Sequence, residues 1–124
     1  MFIALEVSLV VIEKLVPVEK KIRRQNASLA GQISTASESI CLNLGEGRWR
    51  KAGDQRRHWE MAAGSTSELT VALRIAAAKG YVGAAEMAEL DGALDRLRGL
   101  LYGLTQRRFV SRSSDAAGRR AAVP

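Results

Sequence analysis

Between Trp59 and Ala76 the positions Trp59, Ala62, Thr66, Leu69, Leu73 and Ala76 step by three and four without a miss, and Met87, Leu90, Leu94, Leu97, Leu101 and Leu104 repeat the rhythm. That spacing gathers side chains onto one stripe of an α-helix, whereas a strand would scatter them over both faces. A helix with one apolar stripe gains most of its stability when the stripe is covered, so two such segments demand further helices. The rest of the chain supplies them. Leu29, Ile33, Ala36, Ile40 and Leu44 carry the same spacing, with Asn43 beside them, and the opening segment has two seams, Leu5, Leu9, Ile12, Val16 and Val11, Leu15, Val18, Ile22. β-Branched alternation is scarce and the only prolines are Pro17 and Pro124. The predicted fold class is all-α, an antiparallel up-down four-helix bundle with short links.

Helix punctuation places the helices at about 2–24, 26–44, 54–79 and 84–109, one domain over 1–110. Asn26 is placed to cap the second helix, since its side chain can accept an orphan backbone N–H. Gly45 and Gly47 are expected to end that helix, the stretch GEGRWRKAG from Gly45 to Gly53 to form a polar link, and Asp54 to cap the third. Lys79 and Gly80 supply a basic last turn and a glycine stop. Pro17 removes the bond to Glu13 and is expected to kink the first helix or restart it. Gly92, Gly99 and Gly103 each cost roughly 1 kcal/mol against Ala in a helix, which points to close packing and to a Gly99-x-x-x-Gly103 contact ridge. Gly64 with Ala63 and Ala77 would likewise keep the third helix narrow. The early first helix is apolar on nearly every side, Phe2, Ile3, Val7 and Val10 included, so it is expected to be central or to meet another subunit. From Ser111 onward the composition is Ser, Ala, Gly and Arg without period, so residues 111–124 are expected to be a basic, disordered tail.

Residue types exclude several functional classes. With 124 residues there is room for one domain, and with Cys41 and His58 the only cysteine and histidine there is no material for an intrachain disulfide, a zinc finger or a paired Glu-x-x-His di-iron site. A reducing, cytoplasmic setting is expected. Met1 to Ile12 lacks a basic leader and a small-residue cleavage site and carries Glu6, so it is predicted to be mature helix. No uncharged stretch reaches the roughly 20 residues of a membrane span. The serine-hydrolase and zinc-protease signatures are absent, and Gly45-x-Gly47 lacks the third glycine and preceding strand of a dinucleotide site. His58 lies four residues after Asp54, which allows an Asp–His pair on one helical turn, but an ordinary structural histidine is the expectation. Cys41 beside the core stripe is expected to be a small buried hydrophobe, and Glu38, Glu46, Glu60 and Glu68 lack histidine companions for a metal. No catalytic residue, cofactor or metal is predicted. Asn43, which interrupts an apolar seam, and Glu68, beside core Leu69, are expected to be hydrogen-bonded and to fix helix register.

The charge is segregated. Of the formal +6, residues 1–17 carry −1, 18–57 carry +5, 58–106 carry −2 and 107–124 carry +4. Lys20, Lys21, Arg23 and Arg24 close the first helix, while Arg48, Arg50, Lys51, Arg56 and Arg57 flank the second link; in an up-down bundle these groups sit at opposite ends. Clustered cations displace the counterions condensed on a polyanion, which gives sequence-independent, salt-sensitive binding. Trp49, between Arg48 and Arg50, adds a ring on which a base can stack.

The ordered series Ser39-Ile40-x-x-Asn43-x-x-Glu46-Gly47, Ala62-x-Gly64-Ser65-x-x-Glu68-Leu69 and Gly80-Tyr81 resembles the 23S ribosomal RNA intervening-sequence protein family over about Leu15 to Leu104. The chain departs from the pattern in its longer basic link before Asn26 and in Ser34, where an Arg is usual. The resemblance implies a four-helix bundle assembled as a ring-like homopentamer, with Asn43, Glu46, Gly47, Gly64, Ser65 and Glu68 building the bundle. It extends to the accessory variability protein of diversity-generating retroelements, which implies a basic oligomer working with a reverse transcriptase and nucleic acid. Two readings of function follow. One is a non-catalytic oligomeric adaptor that grips RNA or DNA phosphates with Arg23, Arg24, Arg48, Trp49, Arg50, Lys51, Arg56 and Arg57. The other is a protein-interaction module or scaffold whose basic charge serves solubility, with no membrane partner in either.

Overall fold

A computed structural model describes residues 1–107, and within them the chain forms four helices and no strand. They are α1 (Ile3–Gln25), α2 (Ala27–Arg48), α3 (Ala52–Ala78) and α4 (Ala84–Tyr102), the last continued by a π-helical turn over Gly103–Arg107. The anticipated tail at 111–124 and the end of the expected fourth helix at 108–109 lie outside the described residues. Consecutive helices pack on one another and α4 also packs on α1, giving the four-helix bundle.

Short, well-capped links impose the up-down course. Asn26 alone joins α1 to α2: its N–H donates to Ile22 O at 2.8 Å and its Oδ1 accepts from Leu29 N at 3.0 Å, so one residue closes one helix and opens the next. Between α3 and α4, Gly80 adopts φ +78, a left-handed conformation that a side chain disfavours, while Tyr81 N donates to Ala76 O at 2.9 Å. Glu86 then reaches back to Gly83 N at 3.1 Å and also pairs with Lys21 of α1 at 2.8 Å.

The spacing of the core is as predicted for three helices. Leu29, Ile33, Ala36, Ile40 and Leu44 of α2, the full Trp59-to-Ala76 series of α3, and Leu90, Leu94, Leu97 and Leu101 of α4 are buried. Each fully buried leucine or isoleucine contributes about 1.5–3 kcal/mol through removal from water. In α1 only one seam is used. Val11, Leu15, Val18 and Ile22 are buried with Ala4 and Val7, whereas Leu9 is 43% and Val16 48% exposed and Leu5 and Ile12 are half-buried. The helix is therefore a corner of the bundle and not its centre.

Several boundaries and glycine assignments are corrected. α2 does not stop at Gly45 and Gly47 but runs through both to Arg48. Gly47 is there for contact: a Cβ on it would lie 2.9 Å from His58 Cβ and 3.0 Å from Trp59 Nε1. Lys51, not Asp54, is the N-cap of α3, which begins at Ala52, and Asp54 sits in the first turn. α1 passes through Pro17 without a break, because Pro17 is on the exposed side, as is Glu13, whose carbonyl loses its helical donor to the proline. Gly64, Gly92, Gly99 and Gly103 are not packing points in the bundle, since a Cβ at each would meet nothing within 4 Å. In the π-helical turn at Gly103, Thr105 is buried and Leu104 packs half-buried against the core, and the Thr105 hydroxyl donates to Leu101 O at 2.9 Å.

Two glycines two residues apart in α2 thus have opposite requirements. Gly47→Ala is expected to destabilise the protein by about 1–3 kcal/mol through overpacking against Trp59. Gly45→Ala, with nothing within 4 Å, is expected to stabilise by about 0.5–1 kcal/mol. Urea unfolding midpoints of the two variants check the contrast.

Candidate nucleic-acid interface

The C-terminus of α2 and the N-terminus of α3 are brought together by the missing Gly47 side chain, which lets the indole of Trp59 lie against the α2 backbone. Phe2, the N-cap of α1, packs on that indole with ring centroids 5.7 Å apart. Arg48, the last residue of α2, then places its guanidinium 5.7 Å from the Phe2 ring centroid and 4.9 Å from that of Trp49. Trp49 is the C-cap residue and is 80% exposed, whereas Trp59 is buried. Arg50 N donates to Gly47 O at 3.1 Å, and Gln55 Nε2 donates to Gly47 O at 3.2 Å from the first turn of α3. The end of α2 is closed by these bonds.

The cations around this end are not equally free. Arg50 pairs with Glu46 and reaches Asp54 at 3.2 Å, Arg57 reaches Asp54 at 2.8 Å, and Arg56 reaches Glu60 at 3.1 Å. All are three or four residues apart on a helix or across the short link, where opposite charges meet in solvent for a few tenths of a kcal/mol. The Arg50 guanidinium, hydrogen-bonded to Glu46, holds the Glu46 carboxyl below the ordinary range, and Arg57 does the same to Asp54. Arg48 and Lys51 have no carboxylate partner among the described residues.

At the opposite end of the bundle Arg23 pairs with Glu19 at 2.7 Å and Lys21 with Glu86 at 2.8 Å, while Lys20 and Arg24 are exposed without an ion pair among the described residues. The eight predicted contact residues are therefore divided: Arg23 and Arg24 at one end, Arg48, Trp49, Arg50, Lys51, Arg56 and Arg57 at the other. Four of the six arginines named, Arg23, Arg50, Arg56 and Arg57, are paired with neighbouring carboxylates within their own element or link.

The motif residues build the support beneath the site. Ser39 and Ser65 hydroxyls meet at 2.9 Å across α2 and α3. Asn43 Nδ2 donates to Ser39 O at 3.0 Å and to Ser39 Oγ at 3.2 Å, which turns its Oδ1 toward His58 Nδ1 at 3.0 Å. An amide oxygen only accepts, so His58 Nδ1 carries the proton. A chain of side-chain bonds thus locks the register of α2 against α3 just inside Gly47. His58, treated from sequence as an ordinary histidine with Asp54 its nearest candidate partner, turns out to be bonded to Asn43. Asp54 pairs with the arginines instead. The signal that could have found this was the shared face of Ser39, Asn43 and Gly47, at steps of four. Glu68 does not fix register: it is exposed, as is Gly64. Cys41 is half-buried, its Sγ donating to Ser8 Oγ at 3.2 Å, and burial pushes the thiol up.

The family model described as 23S rRNA-intervening sequence protein matches residues 3–103. The chain belongs to that family. Nothing among curated proteins and nothing among solved structures matches the chain. No helix of the described residues is long and apolar enough to cross a membrane.

Because the folded-state carboxyls of Glu46 and Asp54 titrate below their ordinary values, the stability they add is complete above the ordinary carboxylate range and is lost as the pH falls through the lowered values. The unfolding midpoint is therefore expected to drop between about pH 5 and pH 2, and to drop less in Arg50→Gln, where Glu46 has lost its principal partner. Thermal unfolding across that pH series, wild type beside variant, checks it.

Proposed function

We propose that this member of the intervening-sequence family is a non-catalytic, homo-oligomeric adaptor that binds the phosphate backbone of RNA or DNA through the ends of its bundle. The observation that carries the reading is the pair Arg48 and Lys51, left without carboxylate partners among the described residues beside an exposed Trp49, where the other three cations of the same link, Arg50, Arg56 and Arg57, are paired. Lys20 and Arg24 repeat this pattern at the far end. Free, exposed cations are what a polyanion recruits, and the few at each end among the described residues set a modest, salt-sensitive affinity without base reading.

The second element of the proposal is self-association. Ile3 at 48%, Leu9 at 43%, Val10 at 40% and Val16 at 48% exposure leave α1 with an outward aliphatic surface that a monomer rarely keeps. Covering it with further copies, five by the family resemblance, accounts for the second seam of α1. Copies set side by side in a ring would place the Arg48 ends on one rim and the Lys20 ends on the other, multiplying weak contacts by avidity. The resemblance to the retroelement accessory protein supports the same reading and names a reverse transcriptase as the protein partner to test. A scaffold function without nucleic acid is the alternative, favoured by the same Trp49 and Arg48, residue types enriched in protein hot spots.

For a short single strand at the Arg48 end, log affinity is expected to fall with log salt at a slope of about −1.4, two contacts at about −0.7 each. Arg48→Glu with Lys51→Glu is expected to abolish binding at that end, and Arg57→Gln to change it little. Salt-indifferent affinity, or no effect of the double reversal, overturns the phosphate reading in favour of the scaffold. For assembly, light scattering is expected to show several chains per particle, and Leu9→Glu with Val16→Glu to give a monomer of unchanged helix content. A wild-type protein that scatters as one chain removes the oligomer.

A further inference from the structure

We infer that the Arg48–Trp49 end takes an unpaired nucleobase, so that its ligand class is single-stranded nucleic acid in preference to duplex; this rests on the phosphate reading above and adds a base contact to it.

Three observations meet at this point. The first is exposure on a fixed mount. Trp49 is 80% exposed, yet its backbone is the C-cap of α2 and is followed at once by the Arg50 N–H bond to Gly47 O at 3.1 Å. An indole in water exposes a large apolar surface for no gain in folding, whereas the chain's other tryptophan, Trp59, is sealed in the core at 7%.

The second is stacking on one side only. The Arg48 guanidinium lies 4.9 Å from the Trp49 ring centroid, a cation–π contact that orients the ring. Phe2 lies 5.7 Å from the same guanidinium and itself packs on Trp59, so the Arg48 head contacts two rings. No further ring or guanidinium stacks on Trp49 among the described residues. One face of the indole is therefore available to a flat partner. A stacked guanidinium also keeps its in-plane N–H donors for the phosphate next to that base.

The third is what this end lacks among the described residues. Duplex binding without base reading needs many phosphate contacts, and here Arg50, Arg56 and Arg57 are already matched by Glu46, Asp54 and Glu60. Arg48 and Lys51 offer two contacts at most. A duplex also keeps its bases stacked inside and gives Trp49 no partner, whereas a single strand offers a π-face of any sequence. The stacked base is expected to raise affinity about tenfold to a hundredfold over the phosphates alone.

The test titrates the full-length protein with oligothymidylate, with a blunt duplex of the same length, and with an abasic phosphodiester strand of that length, following tryptophan emission and, independently, fluorescence anisotropy of a labelled strand. Oligothymidylate is expected to quench the exposed tryptophan and to bind at least tenfold tighter than either of the other two probes. Trp49→Ala is expected to lose that advantage, binding oligothymidylate at the level of the abasic strand, while Trp49→Phe keeps most of it. The substituted position is exposed, and an unchanged helical circular dichroism spectrum confirms the fold. Equal binding of duplex and single strand, or full affinity in Trp49→Ala, overturns the base contact and leaves the phosphate reading standing. Failure of all three probes to bind by either readout overturns both.

Discussion

The close approach of α2 and α3 at Gly47 is the contact on which the rest of the candidate site depends. The absence of a side chain at Gly47 lets Trp59 lie against the α2 backbone, closer than van der Waals contact to where a Cβ would sit. Trp59 in turn is the surface on which Phe2 packs, and Phe2 is one of the two rings that contact Arg48. A substitution at Gly47 would thus propagate through three side chains to the bundle end, although Gly47 itself is buried and carries no functional group. The hydrogen-bonded chain Ser65, Ser39, Asn43, His58 lies one to two turns inside the same interface and prevents the two helices from sliding. Apolar stripes alone tolerate axial shifts; a line of directional bonds does not.

Charge at this end is decided by helix geometry more than by composition. The stretch from Glu46 to Glu60 reads as strongly basic, yet the i,i+3 and i,i+4 rule places a carboxylate beside three of its five cations. The pairs are exposed and individually weak, so a strong polyanion could exchange with them, but at rest they lower the local field. What distinguishes Arg48 is that its neighbours at those spacings include no acid on its free side, so aromatic rings take the place of a carboxylate.

The bundle was legible in the sequence because three of its four helices bury the very residues that carry the three-four rhythm. The extent of α2 was not, because glycine signals two different things. As a helix stop it supplies a left-handed conformation, which is what Gly80 does; as a contact point it supplies absence of volume, which is what Gly47 does. Spacing within one helix does not separate these, since the atoms that decide it belong to α3. The same holds for His58. Its nearest sequence neighbours pointed to Asp54, while its partner Asn43 sits fifteen residues away on the facing helix. The candidate site was legible as a set of cations with one tryptophan, and what remained hidden was which of them the carboxylates neutralise.

α1 shows why the two proposed activities belong together. A helix with two adjacent apolar seams cannot satisfy both inside a four-helix bundle, because each corner helix turns only about a third of its circumference inward. The bundle takes Val11, Leu15, Val18 and Ile22, and Leu9 and Val16 are left facing water. A surface so placed runs along the length of the bundle and leaves both ends clear, so association through it would not compete with ligands at the ends. With few unpaired cations at either end among the described residues, one protomer would hold a polyanion weakly, and several ends on one rim would hold it by repetition. On the proposed function, the small number of free cations at each end of one protomer would be the reason for assembly.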